Sequence, residues 1–194
     1  MIPGRIDAPL GVRAAPNYDE LVREMEVVGV RLEMPANAPV LVMREQSGLR
    51  RIVTIYIGGP EASAIHTALE GLEPPRPLTH DLAIDLLEAA DSRVERIVVT
   101  SIRDQTYFAD VVLSGVGGQK VVSARPSDAV ALALRSGCPI FVDDDLLDEV
   151  GKVIPDDDEI DEATSDSTGK ADESAIIDEF RDFIDSINPE DFSE

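Results

Sequence analysis

Short runs of alternating apolar and polar residues, separated by turn signals, constrain this chain most strongly, because such runs form half-buried β-strands. Three of them follow one another closely, at residues 22–33, 39–45 and 50–58, which predicts a β-meander. A second block of three strand-like runs spans residues 94–125, and a short apolar strand is predicted at 139–142. We therefore expect a sheet built from two blocks of strands.

Segments in which apolar residues recur at helical spacing lie after each block of strands. The first occupies residues 62–71, and the second runs from Thr79, predicted as its N-cap, to about residue 91. The third spans residues 126–137, where a proline opens the helix and a glycine closes it. A short acidic helix is predicted near residues 146–150.

These elements together predict one α+β domain over residues 22–150, with a mixed sheet packed by about three helices. Residues 1–20 contain three prolines and no sustained apolar period, so we expect a flexible arm outside the core. Residues 151–194 are predicted to form an acidic, mostly disordered linker that ends in a short amphipathic helix.

The C-terminal tail is much more acidic than the rest of the chain. The chain of 194 residues has 17 Lys and Arg against 39 Asp and Glu. Residues 143–194 hold 21 of the acids and 3 of the bases, which leaves 18 acids and 14 bases for residues 1–142. The last predicted helix carries one apolar stripe, for which we expect a protein partner: Ile176, Ile177, Phe180, Phe183, Ile184 and Ile187.

Several classes of protein are excluded by what the sequence lacks. No apolar run approaches the roughly 20 residues that span a bilayer, and no export signal is visible, so we expect no membrane association and a cytoplasmic location. The single cysteine, Cys138, is interpreted as a small buried apolar residue. Motifs for nucleotide, hydrolase and calcium sites are absent, and no organic cofactor is expected. The acidic balance argues against a non-specific DNA coat, although a local arginine-lined site remains compatible with it.

Carboxylates stand at three predicted helix starts, as Glu61, Asp81 and Asp128. Each is explained by a favourable interaction with the helix dipole, which contributes roughly 0.3–1 kcal/mol. Helix starts from one domain can also converge, and His80, Asp81 and Asp128 would then form an oxygen-rich metal or acid/base cluster. A histidine in a polar helix start, such as His80, is suited to general acid/base work.

Arg125 needs a separate explanation, because a cation beside a helix start gains nothing from the helix dipole. It either pairs with an acid such as Asp128 or joins the free amides of the next turn in receiving an anion such as phosphate. Both interpretations are compatible with the sequence.

Four segments in this order resemble the bifunctional nuclease domain family: EVVGVRLEMPANAPVLVMRE, IYIGGPEASAIHTALEG, PPRPLTHDLAIDLLEA and ARPSDAVALALRSGCPIFV. The resemblance covers roughly residues 22–150 and implies DNase and RNase activity of the kind credited to some members. It also implies the functional positions Glu61, Arg76, His80, Asp81, Arg125, Ser127 and Asp128. The chain has GGP where relatives often have GPP, a departure in the loop before Glu61.

Two functions follow as hypotheses. The first is a phosphodiesterase dependent on Mg²⁺ or Mn²⁺, with Asp81 and Asp128 as metal ligands and His80 as the acid/base group. In it Arg125, Arg76 and Ser127 bind the phosphate of a nucleic acid. The second is a non-catalytic, homo-oligomeric binding module whose tail helix contacts a protein partner.

Overall fold

A computed structural model describes residues 12–14, residue 18 and residues 21–153, and the predicted linker and terminal helix of the tail lie outside these residues from 154 onward. Eight strands and four helices lie within the described part of the chain. In chain order they are β1 (Val12–Ala14), β2 (Val22–Glu33), β3 (Ala38–Glu45), β4 (Ile52–Tyr56), α1 (Gly59–Leu69), α2 (Thr79–Ala89), β5 (Ser92–Arg103), β6 (Thr106–Gly115), β7 (Lys120–Ala124), α3 (Pro126–Ser136), β8 (Ile140–Asp143) and α4 (Asp144–Val150).

The first block of strands forms the predicted meander. β2 pairs with β3 and β3 with β4, both antiparallel. Alternation directs Leu41 and Met43 of β3 into the core, where both are fully buried, while their neighbours face the other side of the sheet. Asn37 takes a left-handed φ of 51° in the turn between β2 and β3, a conformation that asparagine tolerates better than most residues.

The second block is also antiparallel, with β6 between β5 and β7. A two-residue turn joins β5 to β6, and its residues Asp104 and Gln105 both have positive φ, at 47° and 61°. Turns of this kind match the right-handed twist of the flanking strands. Long β5 and β6 therefore form one twisted hairpin.

The short strand β8 joins the two blocks into one sheet. It lies antiparallel to β2 on one side and parallel to β5 on the other. The strand order is β1-β7-β6-β5-β8-β2-β3-β4. The α+β class and the mixed sheet predicted from the sequence are confirmed, and α4 is the short acidic helix predicted near residues 146–150 in addition to the three that pack the sheet.

Helices α1, α2 and α3 cover one face of the sheet, with α1 and α2 both packed against α3. Ala129, Ala131 and Ala133 of α3 are buried, and these small side chains let the helix approach the sheet closely. Gly137 ends α3 in the left-handed conformation, with φ 67°. The packing of α3 fixes where the starts of all three helices lie.

The start of α2 corrects one detail of the sequence analysis. Thr79 was expected to be the N-cap, whereas it is the first helical residue and Leu78 is the N-cap. The leucine side chain cannot accept a hydrogen bond, so the capping contact at this start comes from the Asp81 carboxylate, whose Oδ2 accepts from the Leu78 amide at 2.8 Å.

The N-terminal arm was expected to lie outside the core, which is wrong for its described residues. β1 pairs antiparallel with β7 at the edge of the sheet. Tyr18 packs with Val98, Val112 and Val121 on the face opposite the helices. Asp110, 4% exposed, accepts from the Tyr18 hydroxyl and from Arg13. A buried acid on the second face thus holds Arg13 and Tyr18, two described residues of the predicted arm.

Arg51 ties α4 to the first block of strands. Its Nε and Nη2 each lie 3.1 Å from the buried carboxylate of Glu45, and its other contacts are Asp144 and Asp148 of α4. These bonds hold the pKa of Glu45 below its ordinary value. The chain after α4 then returns to β4, where Lys152 forms a bridge with Ile52.

No helix in residues 21–153 is long and apolar enough to cross a membrane. Cys138 is half-buried beside the end of α3, and burial raises the pKa of its thiol.

Candidate functional site

Three helices begin in the same way, with a carboxylate at the third helical position. These are Glu61 in α1, Asp81 in α2 and Asp128 in α3. A favourable interaction with the dipole of each helix is enough to explain one such acid. The contacts between helices, however, bring these starts together, as the sequence analysis proposed for His80 and Asp128.

Arg125 is the residue around which the starts of α1 and α3 meet. Its Nε and Nη2 donate to the two carboxylate oxygens of Asp128 at 2.6 and 2.9 Å. Its Nη1 lies 2.8 Å from Oε1 of Glu61. The bonds to Asp128 and the nearby Glu61 raise the pKa of Arg125. The predicted pairing with Asp128 is therefore confirmed, and Glu61 is a second partner.

Arg125 nevertheless keeps donors for a ligand. A guanidinium has five N–H groups, and the three bonds to Asp128 and Glu61 leave about two of them, one on each terminal nitrogen. The side chain of Arg125 is 65% exposed. An exposed guanidinium with an N–H group left on each terminal nitrogen can donate to phosphate oxygens.

His80 stands beside the same pair. Its Nε2 lies 3.5 Å from Oδ1 of Asp128, and its side chain is largely buried. The carboxylate can stabilise a protonated imidazole at this distance, and a small movement would bring the two atoms into hydrogen-bond range. We call Glu61, His80, Arg125 and Asp128 the helix-start cluster.

Asp81 faces a different partner. Its Oδ1 accepts from Nε of Arg135, in the last turn of α3, and its Oδ2 caps α2. Burial would raise the pKa of Asp81, but the Leu78 amide and Arg135 outweigh it and hold the pKa below its ordinary value. Asp81 therefore follows His80 of the helix-start cluster in the sequence, but its hydrogen bonds go to Leu78 and Arg135 and not to the cluster.

The lack of a side chain at Gly58 leaves space that the Glu61 carboxylate occupies. A Cβ built on Gly58 would lie 2.2 Å from Oε2 and 3.2 Å from Cδ of Glu61. The backbone of Gly58 is extended, with φ −80° and ψ 161°, so any residue could adopt it. Glycine there leaves room for the Glu61 carboxylate in its present orientation, and backbone freedom is not the reason for it.

Two residues that were predicted to bind phosphate, Arg76 and Ser127, take no part in the hydrogen bonds and ion pairs described for the helix-start cluster. Arg76 is exposed in the link between α1 and α2, and no hydrogen bond or ion pair within the described residues involves it. Ser127 is buried in the first turn of α3. A buried hydroxyl is poorly placed to contact a phosphate directly.

The described residues do not fit a metal site as they are arranged. No group of three His, Cys, Asp or Glu side chains within residues 21–153 could hold a metal ion. The two residues predicted to bind Mg²⁺ or Mn²⁺, Asp81 and Asp128, each bond an arginine instead. Metal binding by this pair stays a prediction.

The charge of the cluster decides what it can bind. Glu61 and Asp128 contribute two negative charges and Arg125 one positive charge, so protonation of His80 would bring the cluster to neutrality. An anionic substrate is favoured when His80 is protonated or when another cation is supplied.

Two residues of the site escaped the sequence analysis, Arg135 and Gly58. A basic residue near the end of α3 suits the negative end of the helix dipole, so its position alone suggested no contact. Gly58 was interpreted only as the end of the strand-like run at residues 50–58. Both roles depend on contacts across the fold or on a side-chain rotamer, which local patterns do not encode.

Comparisons with known proteins show what this chain is similar to. The family model described as the bifunctional nuclease domain matches residues 41–155. The uncharacterized protein Rv1829 of Mycobacterium tuberculosis strain H37Rv is 43% identical over 169 residues, which cover 87% of this chain and 97% of that protein.

More distant similarity extends to two proteins of Arabidopsis thaliana. Bifunctional nuclease 2 is 28% identical over 138 residues, and bifunctional nuclease 1 is 27% identical over 107 residues. These matches cover 70% and 54% of this chain, but only 41% and 33% of the two plant proteins.

Proposed function

The chain belongs to the bifunctional nuclease domain family, and from this membership and the site geometry we propose that it hydrolyses phosphodiester bonds in DNA or RNA. Two plant relatives are named as bifunctional nucleases, which supports the reaction class. The observation that carries the proposal is the meeting of the starts of α1 and α3 at one exposed arginine, with His80 of α2 beside Asp128.

Arg125 binds the scissile phosphate in this proposal. Its two remaining N–H groups contact non-bridging oxygens, while Glu61 and Asp128 hold the guanidinium in a fixed orientation. Fixed donors stabilise the charge that develops on phosphorus oxygens in the transition state more effectively than mobile ones. Free amides at the starts of α1 and α3 add to the same field.

The proton transfers follow from the remaining atoms. A water oxygen bonds to phosphorus as the ester P–O bond breaks, and the leaving oxygen takes the proton of the His80 imidazolium. Oε2 of Glu61 accepts the proton that the water loses, because Asp128 already bonds Arg125 through both oxygens. Asp128 stabilises the charged imidazole from 3.5 Å before the transfer.

Cleavage by purified protein tests the proposal. Labelled single- and double-stranded DNA and RNA are incubated with the wild type and with Arg125→Ala, Asp128→Ala and Arg93→Ala. Arg93 is an exposed arginine of β5 that bonds Ser114 of β6, and its variant serves as the matched control. We expect the first two variants to lose at least about tenfold in rate and Arg93→Ala to match the wild type.

Each reaction is run with Mg²⁺, with Mn²⁺ and with chelator. Activity that survives chelation supports protonated His80 as the source of positive charge, whereas activity only with a divalent ion supports the metal dependence predicted from the sequence. Equal cleavage by all variants would assign the activity to a contaminant and overturn the proposal.

One observation favours a second function, that of a binding module. Leu78, Leu82 and Leu86 form an exposed stripe along α2, at spacing that places them on one side of the helix. Such a stripe suits contact with another protein or a second copy of the chain. Light scattering at micromolar concentration, with Leu82→Lys beside the wild type, tests self-association through this stripe.

A further inference from the structure

Arg135 connects the three helices whose starts carry the candidate site. Its Nη1 donates to the carbonyl of Ala64 in α1 at 3.1 Å and to that of Ala131 in α3 at 3.0 Å. Its Nε donates to Asp81 in α2. The side chain is 9% exposed, so these bonds form away from competing water. One guanidinium thus bonds all three helices at once.

Only arginine can make this set of bonds. The planar guanidinium offers five donors in a fixed fork, whereas a lysine ammonium is a single nitrogen on a flexible stem. A lysine at this position would keep the charge opposite Asp81 but could not reach both carbonyls with fixed geometry. Replacement by lysine therefore separates the charge of Arg135 from its geometry.

Asp81 transmits the position of Arg135 to His80. One carboxylate oxygen bonds Arg135 and the other caps α2 at Leu78, so the first turn of α2 is held relative to α3. His80 precedes Asp81 in that turn and faces Asp128 at the start of α3. A shift of the first turn would change the distance between the imidazole and Asp128 directly.

We infer that Arg135 and Asp81 are a pair of positioning residues that set the His80 imidazole against Asp128 and the phosphate-binding edge of Arg125. The inference rests on the proposed function for its catalytic consequence, and it assigns Asp81 a role other than metal ligand. Misplacement of a catalytic group by about 1 Å costs on the order of 10²-fold in rate, which is the effect expected here.

The test compares Asp81→Asn with Asp85→Asn, and Arg135→Lys with the wild type. Asparagine at 81 still accepts from the Leu78 amide but no longer carries the charge that pairs with Arg135. Asp85 is an exposed carboxylate one turn further along α2, so its variant removes the same charge without the contact. Circular dichroism and thermal melting establish that each variant is folded.

Two readouts separate positioning from stability. The first is the ring ¹⁵N spectrum of His80, with the other histidine of the chain, exposed His66, as an internal reference. Asp81→Asn and Arg135→Lys should shift the His80 signals and leave those of His66 unchanged. The second is kcat, expected to fall about 10²-fold with KM nearly constant.

The spectrum does not depend on cleavage, so it tests the positioning pair even if the wild type cleaves no nucleic acid and the proposed function fails. Folded Asp81→Asn protein with unchanged His80 signals would overturn the inference. Recovery of Asp81→Asn activity by excess Mn²⁺ would also overturn it, because Asp81 would then act as a metal ligand.

Discussion

Replacement of Gly58 by alanine should disable the site while leaving the fold intact. The added methyl group would lie 2.2 Å from Oε2 of Glu61, far inside van der Waals contact, so the carboxylate must swing away. Glu61 would then lose its place beside Arg125, and the proposed water acceptor would move. The extended backbone of residue 58 accepts alanine without strain.

The cost in stability should be small. Alanine is a poorer N-cap residue than glycine, a difference of about 0.5–1 kcal/mol. The pair of Glu61 with the exposed Arg125 contributes about 0–1 kcal/mol. A domain of this size loses about 2–4 °C in Tm per kcal/mol, so Tm should fall by no more than about 8 °C. The rate of cleavage should fall about 10²-fold if Glu61 is displaced by an ångström or more.

Gly59→Ala is the matched control, because a Cβ on Gly59 meets no atom within 4 Å. Alanine has a higher helix propensity than glycine, but Pro60 disfavours the helical conformation of the residue before it. Because these two effects oppose each other, the stability of Gly59→Ala should differ from that of the wild type by less than about 1 kcal/mol. Cleavage of a fluorescent oligonucleotide is measured for both variants. The reasoning is refuted if Gly58→Ala cleaves at the wild-type rate or if its crystal structure retains the contact between Glu61 and Arg125.

Two further predictions concern the fold. Glu45→Gln should lower the free energy of unfolding at pH 7 by about 1–3 kcal/mol, because the buried Arg51 loses a charged partner. The depressed pKa of Glu45 means that this stabilisation is present above the ordinary value of 4.5 and is lost as pH falls through the folded-state value. Urea unfolding of both proteins should therefore give curves that converge as pH falls below the depressed pKa of Glu45, and a difference that stays constant with pH would contradict the assignment. Tyr18→Phe should cost about 1–3 kcal/mol by leaving Asp110 one donor short, and an unchanged unfolding midpoint would show that this hydrogen bond does not stabilise the fold.

The sequence predicts most of the sheet because alternation and turn chemistry are local. The bounds predicted for β2 agree with the structure at both ends, and the helix closed by Gly137 ends where predicted. The three strands of each block are neighbours in the sheet as well as in the chain. Local patterns therefore predict both blocks of strands. They do not predict that β8 pairs in parallel with β5.

The N-terminal edge was missed because its signal is not local. Three prolines indicate a loose arm, whereas Tyr18 and Arg13 are held by Asp110, nearly a hundred residues away. At the site, the helix-start carboxylates could be predicted because the helix dipole favours an acid in the first turn. Arg125 could be predicted because the dipole does not favour a cation there, so that another contact had to explain it. Arg135 could not be found, since its partner Asp81 belongs to another helix.

The central claim is that three helix starts form one phosphate-binding site. Titration of ¹⁵N-labelled protein with a short single-stranded DNA whose linkages are phosphorothioates, and therefore resist cleavage, tests it most directly. Amide signals of the non-proline residues in 58–62, 78–81 and 125–128 should shift together along one binding curve, and Arg125→Ala should abolish the shifts. Shifts confined to other parts of the described chain, or an Arg125→Ala titration identical to that of the wild type, would contradict the claim.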